Sequence, residues 1–335
     1  MMDVQLMRHI VDDVENGALP EVAQEAALRW GGPEEASSLS YVRSSANHLF
    51  RFVHEGRLCY LRLAHAAERR PAAIAAELDF VHHVADAGLA VALPVASATG
   101  RLIEDVSGGG QRYWAVVFEG LQGREFEFDE LDEAGYRAWG SALALAHRAS
   151  QTFPPHPARP NWRDELRAAL AALPAEETAV AQTLASGLRW LDTLAPQEQD
   201  YGLLHGDFEL DNLVWDGEQF QALDFDDAAY AWYVVDFAAA LQDVWLAGDT
   251  SSVTSKERMT WFAQGYATLR PLPDGLWEAL PRLLTLVQTF KIARLLRAYA
   301  TTSDASDASN PAWLAQMQTR HRQWLHEKRA TLTWE

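Results

Sequence analysis

HGDFELDN at residues 205–212 and LDFDD at residues 223–227 constrain the architecture of this chain more than any other part of it. Two short apolar runs lie around them, LVW and FQALDF, and a turn at Asp216 and Gly217 joins these runs into a predicted β-hairpin. The polar residues beside the hairpin are His205, Gly206, Asp207, Glu209, Asp211, Asn212, Asp224, Asp226 and Asp227. A hydrophobic core does not require so many, so the pattern indicates a functional site.

A loop of carboxylates beside buried strands favours the binding of a cation. Mg²⁺ takes oxygen ligands and usually keeps several waters, so one or two carboxylates and some phosphate oxygens are enough to hold it. Asp207, Asn212 and Asp224 would supply such a set. In phosphoryl transfer a protein must orient the acceptor hydroxyl and hold metal against the phosphates, and these side chains are suited to both tasks.

The two motifs together resemble the His-Gly-Asp-x4-Asn and Ile-Asp-Phe/Trp-x-Asp motifs of the aminoglycoside phosphotransferase, choline kinase and homoserine-kinase-like superfamily. The resemblance implies a protein-kinase-like α+β fold, with a small β-rich N-lobe over residues 1–120 and a larger helical C-lobe over residues 121–335. It also implies that Asp207 is the catalytic aspartate and that Asn212 and Asp224 are the metal ligands.

Three further residues are implied as supporting ones. On the resemblance, His205 braces the loop backbone, and Asp236 in YVVDFAAAL braces the catalytic loop as a structural carboxylate rather than as a participant in the chemistry. Asp226 is the third supporting residue that the resemblance implies. An alternative site type, a metallohydrolase built on His205, would need additional histidine clusters that the sequence lacks.

The first half of the chain reads as a β-rich segment that holds one helix. Strand patterns over 39–64 turn at Glu55 and Gly56, which predicts a hairpin preceded by a short strand. A helix is predicted from Pro71 to its stop at Gly88. The remaining predicted strands are 91–95, 101–105 and 112–118, with the glycines at 108–110 as a hairpin turn. After Gly123 the chain is mostly helical, including 279–300.

This first half also resembles the nucleotide-binding lobe of the superfamily. Arg62, in the strand YLRLA, stands at or near the position of the nucleotide lysine, and Glu77 in the following helix is similar to its partner glutamate. Arginine binds phosphate and pairs with a carboxylate bidentately, but it is not interchangeable with lysine. The alternative for Arg62 and Glu77 is a surface ion pair.

Two more nucleotide contacts are implied by the resemblance. The segment 44–52 resembles the loop that covers the phosphates, with Asn47 near its tip. The segment 116–126 resembles the linker between the lobes, whose backbone around Phe118 and Glu119 would hydrogen-bond a purine.

Composition excludes several classes of function. The chain has 335 residues, of which 48% are hydrophobic, and a net charge of −19 that opposes nucleic acids and anionic membranes as partners. None of its lysines, Lys256, Lys291 and Lys328, follows a glycine, which excludes a Walker P-loop. A single cysteine, Cys59, allows no internal disulfide, and the acidic start lacks the features of a signal peptide, so a cytoplasmic location is expected.

The combined expectation is an ATP- and Mg²⁺-dependent phosphotransferase acting on a hydroxyl of a small molecule, such as an amino alcohol or homoserine. The alternatives are a bacterial stress-response type of Ser/Thr protein kinase and a nucleotide-binding module without turnover, which the arginine at position 62 motivates. Trp232, Tyr233 and Trp245, with Asp243 and Glu209 nearby, are predicted to line a pocket for a cationic acceptor. The sequence makes no prediction about the oligomeric state.

Overall fold

The computed structural model has the expected two-lobed α+β architecture and describes residues 1–335 apart from 198, 248–252, 303–309, 331, 333 and 335. The helices are α1 (Val4–Glu15), α2 (Glu21–Ala27), α3 (Pro33–Ala36), α4 (Pro71–Asp86), α5 (Glu133–Ser150), α6 (Trp162–Ala171), α7 (Thr178–Leu191), α8 (Val234–Ala247), α9 (Ser255–Ala267), α10 (Leu276–Ala298) and α11 (Ala312–Arg329). The strands are β1 (Ser40–Ser44), β2 (His48–His54), β3 (Arg57–His65), β4 (Pro94–Val95), β5 (Glu104–Gly108), β6 (Gln111–Glu119), β7 (Tyr201–Leu203), β8 (Leu213–Trp215), β9 (Phe220–Ala222) and β10 (Tyr230–Trp232).

The N-lobe is built on an antiparallel sheet in the order β1-β2-β3-β6, in which β4 and β5 pair with different halves of the outer edge of β6. The predicted hairpin at Glu55 and Gly56 is confirmed as the β2–β3 turn. Both residues have positive φ, +50° and +75°, as a tight two-residue turn requires. The glycine run also turns a hairpin, between β5 and β6.

Two predicted strands were placed wrongly. β5 begins at Glu104 instead of 101, and the strand predicted over 91–95 is reduced to Pro94–Val95. The reason is a polar turn between them. The buried carboxylate of Glu104 accepts hydrogen bonds from the hydroxyls of Ser97 (2.6 Å) and Thr99 (2.8 Å), which folds the segment before Glu104 into a turn.

Helices cover both faces of this sheet. Ile74 and Leu78 of α4 pack against Ala64 and Val116 on one face, an arrangement that brings Glu77 beneath β3. The other face is covered by the N-terminal helices, whose buried residues include Ile10 and Val22, and by Trp30 in the turn after α2. The predicted helix over 71–88 is therefore confirmed as α4.

The C-lobe packs α5, α8, α9 and α10 around one large hydrophobic core. The hairpin predicted around Asp216 and Gly217 is confirmed as β8–β9. The sequence reading missed a second ladder, in which β7 pairs with β10 in an antiparallel manner. The 205–212 loop lies between β7 of one ladder and β8 of the other, so the two ladders hold its ends.

Helix α1 contacts residues of both predicted lobes. Its residue Ile10 belongs to the core on the face of the sheet opposite α4. Met7 and Val11 instead pack against Trp313 and Met317 of α11. The boundary at 120/121 stays a prediction. None of the helices in the described part of the chain combines the length and the apolarity needed to cross a membrane.

Candidate active site

The loop that carries Asp207 is held by a buried carboxylate. Asp236, at the start of α8, is fully buried and accepts the backbone N–H groups of His205 (3.0 Å) and Gly206 (2.9 Å). Its Oδ2 also lies 3.0 Å from Nε2 of His147. Asp236 therefore occupies the bracing position that the sequence implied, and it lies beneath the loop.

His205 ties the same loop to the neighbouring hairpin. Its Nδ1 accepts the N–H of Asp207 at 3.3 Å, and its Nε2 lies 3.1 Å from the carbonyl oxygen of Leu223. Because a carbonyl oxygen can only accept, the ring must carry its proton on Nε2 and be neutral. Burial lowers the pKa of His205, which favours the same neutral form.

Asn212 links the candidate base to the candidate metal position. Its Nδ2 donates to the backbone oxygen of Asp207 (2.9 Å) and to the Oδ2 atom of that residue (3.1 Å). The amide nitrogen is thus directed at Asp207, which leaves the amide oxygen as the group that can ligate a cation. The Asp207 side chain is one-third exposed, so it is accessible to a bound acceptor.

Asp224 follows β9 in a left-handed backbone conformation, with φ of +62°. Asp207, Asn212 and Asp224 border the same cavity of about 420 Å³. Desolvation by the surrounding protein, followed by the negative charge of Asp226, raises the pKa of Asp224 to about 7, although the side chain is 36% exposed. The nearby guanidinium of Arg62 therefore compensates this carboxylate only in part, and a divalent cation would provide the remaining positive charge.

The donor set fits Mg²⁺ that is also bound to phosphates. Among the described residues, no three His, Cys, Asp or Glu side chains converge to hold a metal ion by themselves. One amide oxygen from Asn212 and one carboxylate from Asp224 match the habit of Mg²⁺, which usually takes one or two carboxylates and completes its octahedron with phosphate oxygens and water.

Arg62 and Glu77 form a buried bidentate pair. Nη1 and Nη2 of the arginine donate to the two carboxylate oxygens at 2.7 and 2.9 Å, and the residues are 5% and 1% exposed. The alternative of a surface ion pair is therefore wrong. Nη1 of Arg62 also lies 3.8 Å from Oδ1 of Asp224, and the ring of Phe118 covers the guanidinium at 5.0 Å.

Asn47 reaches the candidate site from the β1–β2 turn. Its Nδ2 donates to Oδ2 of Asp226 at 3.0 Å, and the same carboxylate oxygen accepts from Arg69. Burial opposes ionisation of Asp226, but the charges of Arg69 and Arg62 lower its pKa below the usual value. Asp226 is therefore an ionised anchor for the turn that was expected to cover the phosphates.

The segment 116–126, expected to hydrogen-bond a purine through its backbone around Phe118 and Glu119, has part of that backbone already engaged within the protein. The backbone N–H of Glu119 donates to Leu93 (2.9 Å), and that of Gly120 donates to Leu58 (2.8 Å). These two donors are already used within the protein, so a purine would need its donor from another residue. Phe118 instead contributes its ring, which lies against Arg62.

A second cavity, of about 440 Å³, also borders Asp207. Ile74, Trp162 and Phe290 form part of its apolar wall. Its basic residues are Arg69, Arg70, Arg159, Lys291, Arg294 and Arg297. The acidic residues that line it are Glu68, Glu165, Asp207, Asp226 and Asp227. Mixed charge around a cavity that reaches Asp207 makes it the candidate acceptor site.

The aromatic acceptor pocket predicted from sequence is wrong. None of the three borders either cavity. Trp232 and Tyr233 are buried in the C-lobe core, and Trp245 is 43% exposed to solvent. Side chains alternate along a strand, and in β10 it is Ala231 that faces the acceptor cavity.

The sequence reading missed the basic residues of α10. Lys291, Arg294 and Arg297 recur every third residue, so they form one stripe along the second half of α10. That spacing was the available signal. Arg294 pairs bidentately with Asp227, and Arg297 lies 3.2 Å from Glu68.

Comparisons with known proteins found similar sequences and structures. Residues 39–272 match the sequence model of the phosphotransferase enzyme family, APH. The chain is 26% identical to the amicoumacin kinase of Bacillus subtilis strain 168, over 79% of this chain and 81% of the relative. It is 27% identical to the homoserine kinase of Sinorhizobium medicae strain WSM419, over 78% and 81% of the two chains. Among solved structures, amicoumacin kinase hAmiN in complex with AMP-PNP, Ca²⁺ and Ami superposes with a TM-score of 0.76 at 22% identity, covering 98% of this chain and 96% of that one.

Proposed function

The chain belongs to the phosphotransferase enzyme family, and from that premise we propose that it transfers the γ-phosphoryl group of ATP to a hydroxyl of a small molecule. The observation that carries the proposal is the arrangement of Asp207 between two cavities. One contains the candidate metal ligands Asn212 and Asp224, and the other is large enough for a small-molecule acceptor.

Each side chain has a definite task in this reaction. The acceptor oxygen forms a bond to the γ-phosphorus, its proton passes to the Asp207 carboxylate, and the bond between the γ-phosphorus and the bridging oxygen breaks to release ADP. Asn212 keeps that carboxylate oriented through the 3.1 Å hydrogen bond. Mg²⁺, when bound by Asn212 and Asp224, would neutralise charge on the phosphates.

Arg62 serves the phosphate side of the site. Glu77 fixes its guanidinium, which lies 3.8 Å from Asp224, so the arginine steadies the metal-binding carboxylate and adds positive charge beside the phosphate tail. Asn47 and Asp226 hold the β1–β2 turn over the same region. AMP-PNP and Ca²⁺ in the similar solved structure support ATP and a divalent cation as the partners here.

The acceptor class follows from the walls of the second cavity. Ion pairs such as Arg69–Asp226 and Arg294–Asp227 line this cavity together with its apolar residues. We therefore expect a hydroxyl compound that carries charged or strongly polar groups together with an apolar part. Homoserine, amino alcohols and amicoumacin-like compounds are the acceptors to test, and the cytoplasmic location stays a prediction.

The test is acceptor-stimulated ADP release with Mg-ATP, measured across these compounds, aminoglycosides and generic protein substrates. Asp207→Asn is the blank, and Asp192→Asn is the matched control because that exposed carboxylate borders neither cavity. A response to one acceptor that disappears only in Asp207→Asn supports the proposal. Labelling of the protein substrates alone would favour a protein kinase, and ATP binding without turnover would favour a nucleotide-binding module.

A further inference from the structure

Lys291 brings a positive charge to the candidate catalytic aspartate. Its Nζ lies 3.6 Å from Oδ1 of Asp207 and directly contacts the carboxylate of Glu209. The two oxygens of Asp207 thus have different neighbours, because Asn212 binds Oδ2. A separation of 3.6 Å is longer than a direct hydrogen bond, so Oδ1 stays available to an acceptor hydroxyl while it experiences the lysine charge.

The position of Lys291 is set by the C-lobe core. Leu284, Val287 and Leu295 of α10 are buried in that core, and Arg294, one turn on, is held by Asp227. Lys291 lines the cavity that contains Asn212 and Asp224 and also the acceptor cavity. Its ammonium therefore lies where the two cavities meet, next to the path of a phosphoryl group moving from one to the other.

Phosphoryl transfer needs positive charge around the transferring group. Arg62 directs Nη1 and Nη2 at Glu77, lies beneath Phe118, and adjoins Asp224, so its charge serves the metal side. Burial disfavours the charge of Lys291, but Glu209 and then Asp207 raise its pKa above the usual value, so it is a cation. It supplies that charge on the acceptor side.

We propose that Lys291 neutralises the phosphoryl group during transfer and orients Asp207, and that Glu209 is its partner in the absence of substrates. The inference rests on the proposed function. Lys291 stays protonated throughout: the acceptor proton goes to Asp207, and the electron pair of the broken P–O bond leaves with ADP. The competing explanation is that Lys291 only compensates the charge of the half-buried Glu209.

A set of variants separates these explanations. Lys291→Met removes the charge and Lys291→Arg keeps it. The double variant Lys291→Met/Glu209→Gln removes both charges, so that the half-buried Glu209 carboxylate is not left without its partner. Lys256→Met is the matched control, since this lysine is exposed and lies at the start of α9. Thermal unfolding and Mg-ATP affinity are measured for every variant.

Turnover is measured with the best acceptor and as ATP hydrolysis, in which water replaces the acceptor, so that no acceptor needs to be known. We expect Lys291→Met to lower kcat by about 100-fold or more, which is typical for the loss of one preorganised charge, with KM for ATP nearly unchanged. Lys291→Arg should recover part of the rate. The double variant should melt like the wild type and remain slow.

The inference is overturned if Lys291→Met keeps its kcat, or if the double variant regains the wild-type rate, because Lys291 would then be only a counter-charge. If the wild type neither binds Mg-ATP nor hydrolyses it, the proposed function fails and the inference fails with it. The two failures are distinguishable, since in the first the wild type is active.

Discussion

The side-chain amide of Asn47 donates a 3.0 Å hydrogen bond to the carboxylate of Asp226, across 179 positions of sequence. The turn above the cleft is thereby fastened to the segment that carries Asp224, only two residues before Asp226. Arg69 donates to the same carboxylate from the loop between β3 and α4. Asp226 is thus the point at which two loops of the sheet lobe meet the segment that carries the candidate metal ligand Asp224.

Asn47→Ala should loosen the turn over the phosphates and raise KM for ATP about tenfold, because a hydrogen bond to a charged group contributes about 1.5 to 3 kcal/mol. Steady-state kinetics at saturating acceptor would measure this, and kcat should change less. Asn16→Ala, at the exposed end of α1, is the control. An unchanged KM in Asn47→Ala would show that the turn does not contribute to nucleotide binding.

Glu77→Ala should lower the free energy of unfolding by about 3 to 5 kcal/mol, since it leaves the buried charge of Arg62 unpaired. The double variant Arg62→Met/Glu77→Leu should be markedly more stable than Glu77→Ala, although inactive. Urea unfolding tests both. The exposed Arg112–Asp105 pair is the control: Asp105→Ala should cost about 1 kcal/mol or less. Equal losses at the buried and exposed pairs would contradict the argument.

Features set by contiguous residues were predictable from the sequence. The β2–β3 turn depends on Glu55 and Gly56, helix α4 on its apolar spacing, and the candidate base and metal ligands on motifs at fixed spacing. Arg62 and Glu77 form the pair that the resemblance of their strand and helix implied. In each case local pattern and final contact agree.

Contacts between distant segments were not predictable. Strands β7 and β10 have three residues each and are stabilised by pairing with one another, so neither shows a strand pattern alone. The place of Lys291 beside Asp207 depends on how α10 packs against the core. Trp232 was misplaced because composition does not reveal which face of a strand is buried.

His48 should make the protein less stable in acid. It is fully buried, and burial lowers its pKa from 6.5 to about 3, with smaller contributions from His65 and His9. Below pH 6.5, His48 is therefore protonated in the unfolded chain but stays neutral in the folded protein. The free energy of unfolding consequently falls as the pH falls toward 3.

Between pH 6 and pH 4, the free energy of unfolding of the wild type should fall by about 1.4 kcal/mol per pH unit more than that of His48→Gln. Urea unfolding at several pH values measures the two slopes. His326→Gln, at an exposed position on α11, should keep the wild-type slope. Parallel slopes for His48→Gln and the wild type would show that His48 is protonated in the folded protein.

Asp236→Asn should weaken both the fold and the reaction. The carboxylate accepts the N–H groups of His205 and Gly206, and an amide in its place presents one oxygen and one unsuitable donor. We expect a loss of about 3 kcal/mol in the free energy of unfolding. The kcat of the folded fraction should fall more than tenfold, because the loop that carries Asp207 loses these hydrogen bonds. Asp192→Asn should change neither the free energy of unfolding nor kcat. Reduced stability with normal kcat would show that Asp236 does not position the Asp207 loop for the reaction.

Gly206→Ala should be more damaging than Gly217→Ala, although both glycines have positive φ, +89° and +110°. A Cβ at Gly206 would lie 2.4 Å from the carbonyl oxygen of Asp227, whereas one at Gly217 would meet nothing within 4 Å. Gly217→Ala therefore carries only backbone strain, about 1 to 2 kcal/mol, and should leave kcat intact.

Gly206→Ala adds a clash with backbone, which can be relieved only by moving the loop that carries Asp207 away from the segment that carries Asp227. It should cost at least about 2 kcal/mol more than Gly217→Ala in urea unfolding, and it should lower kcat in the fraction that folds. Equal unfolding costs for the two variants would mean that the loop has room to shift. In that case the close approach of the two segments would not be what sets the position of the Asp207 carboxylate between the two cavities.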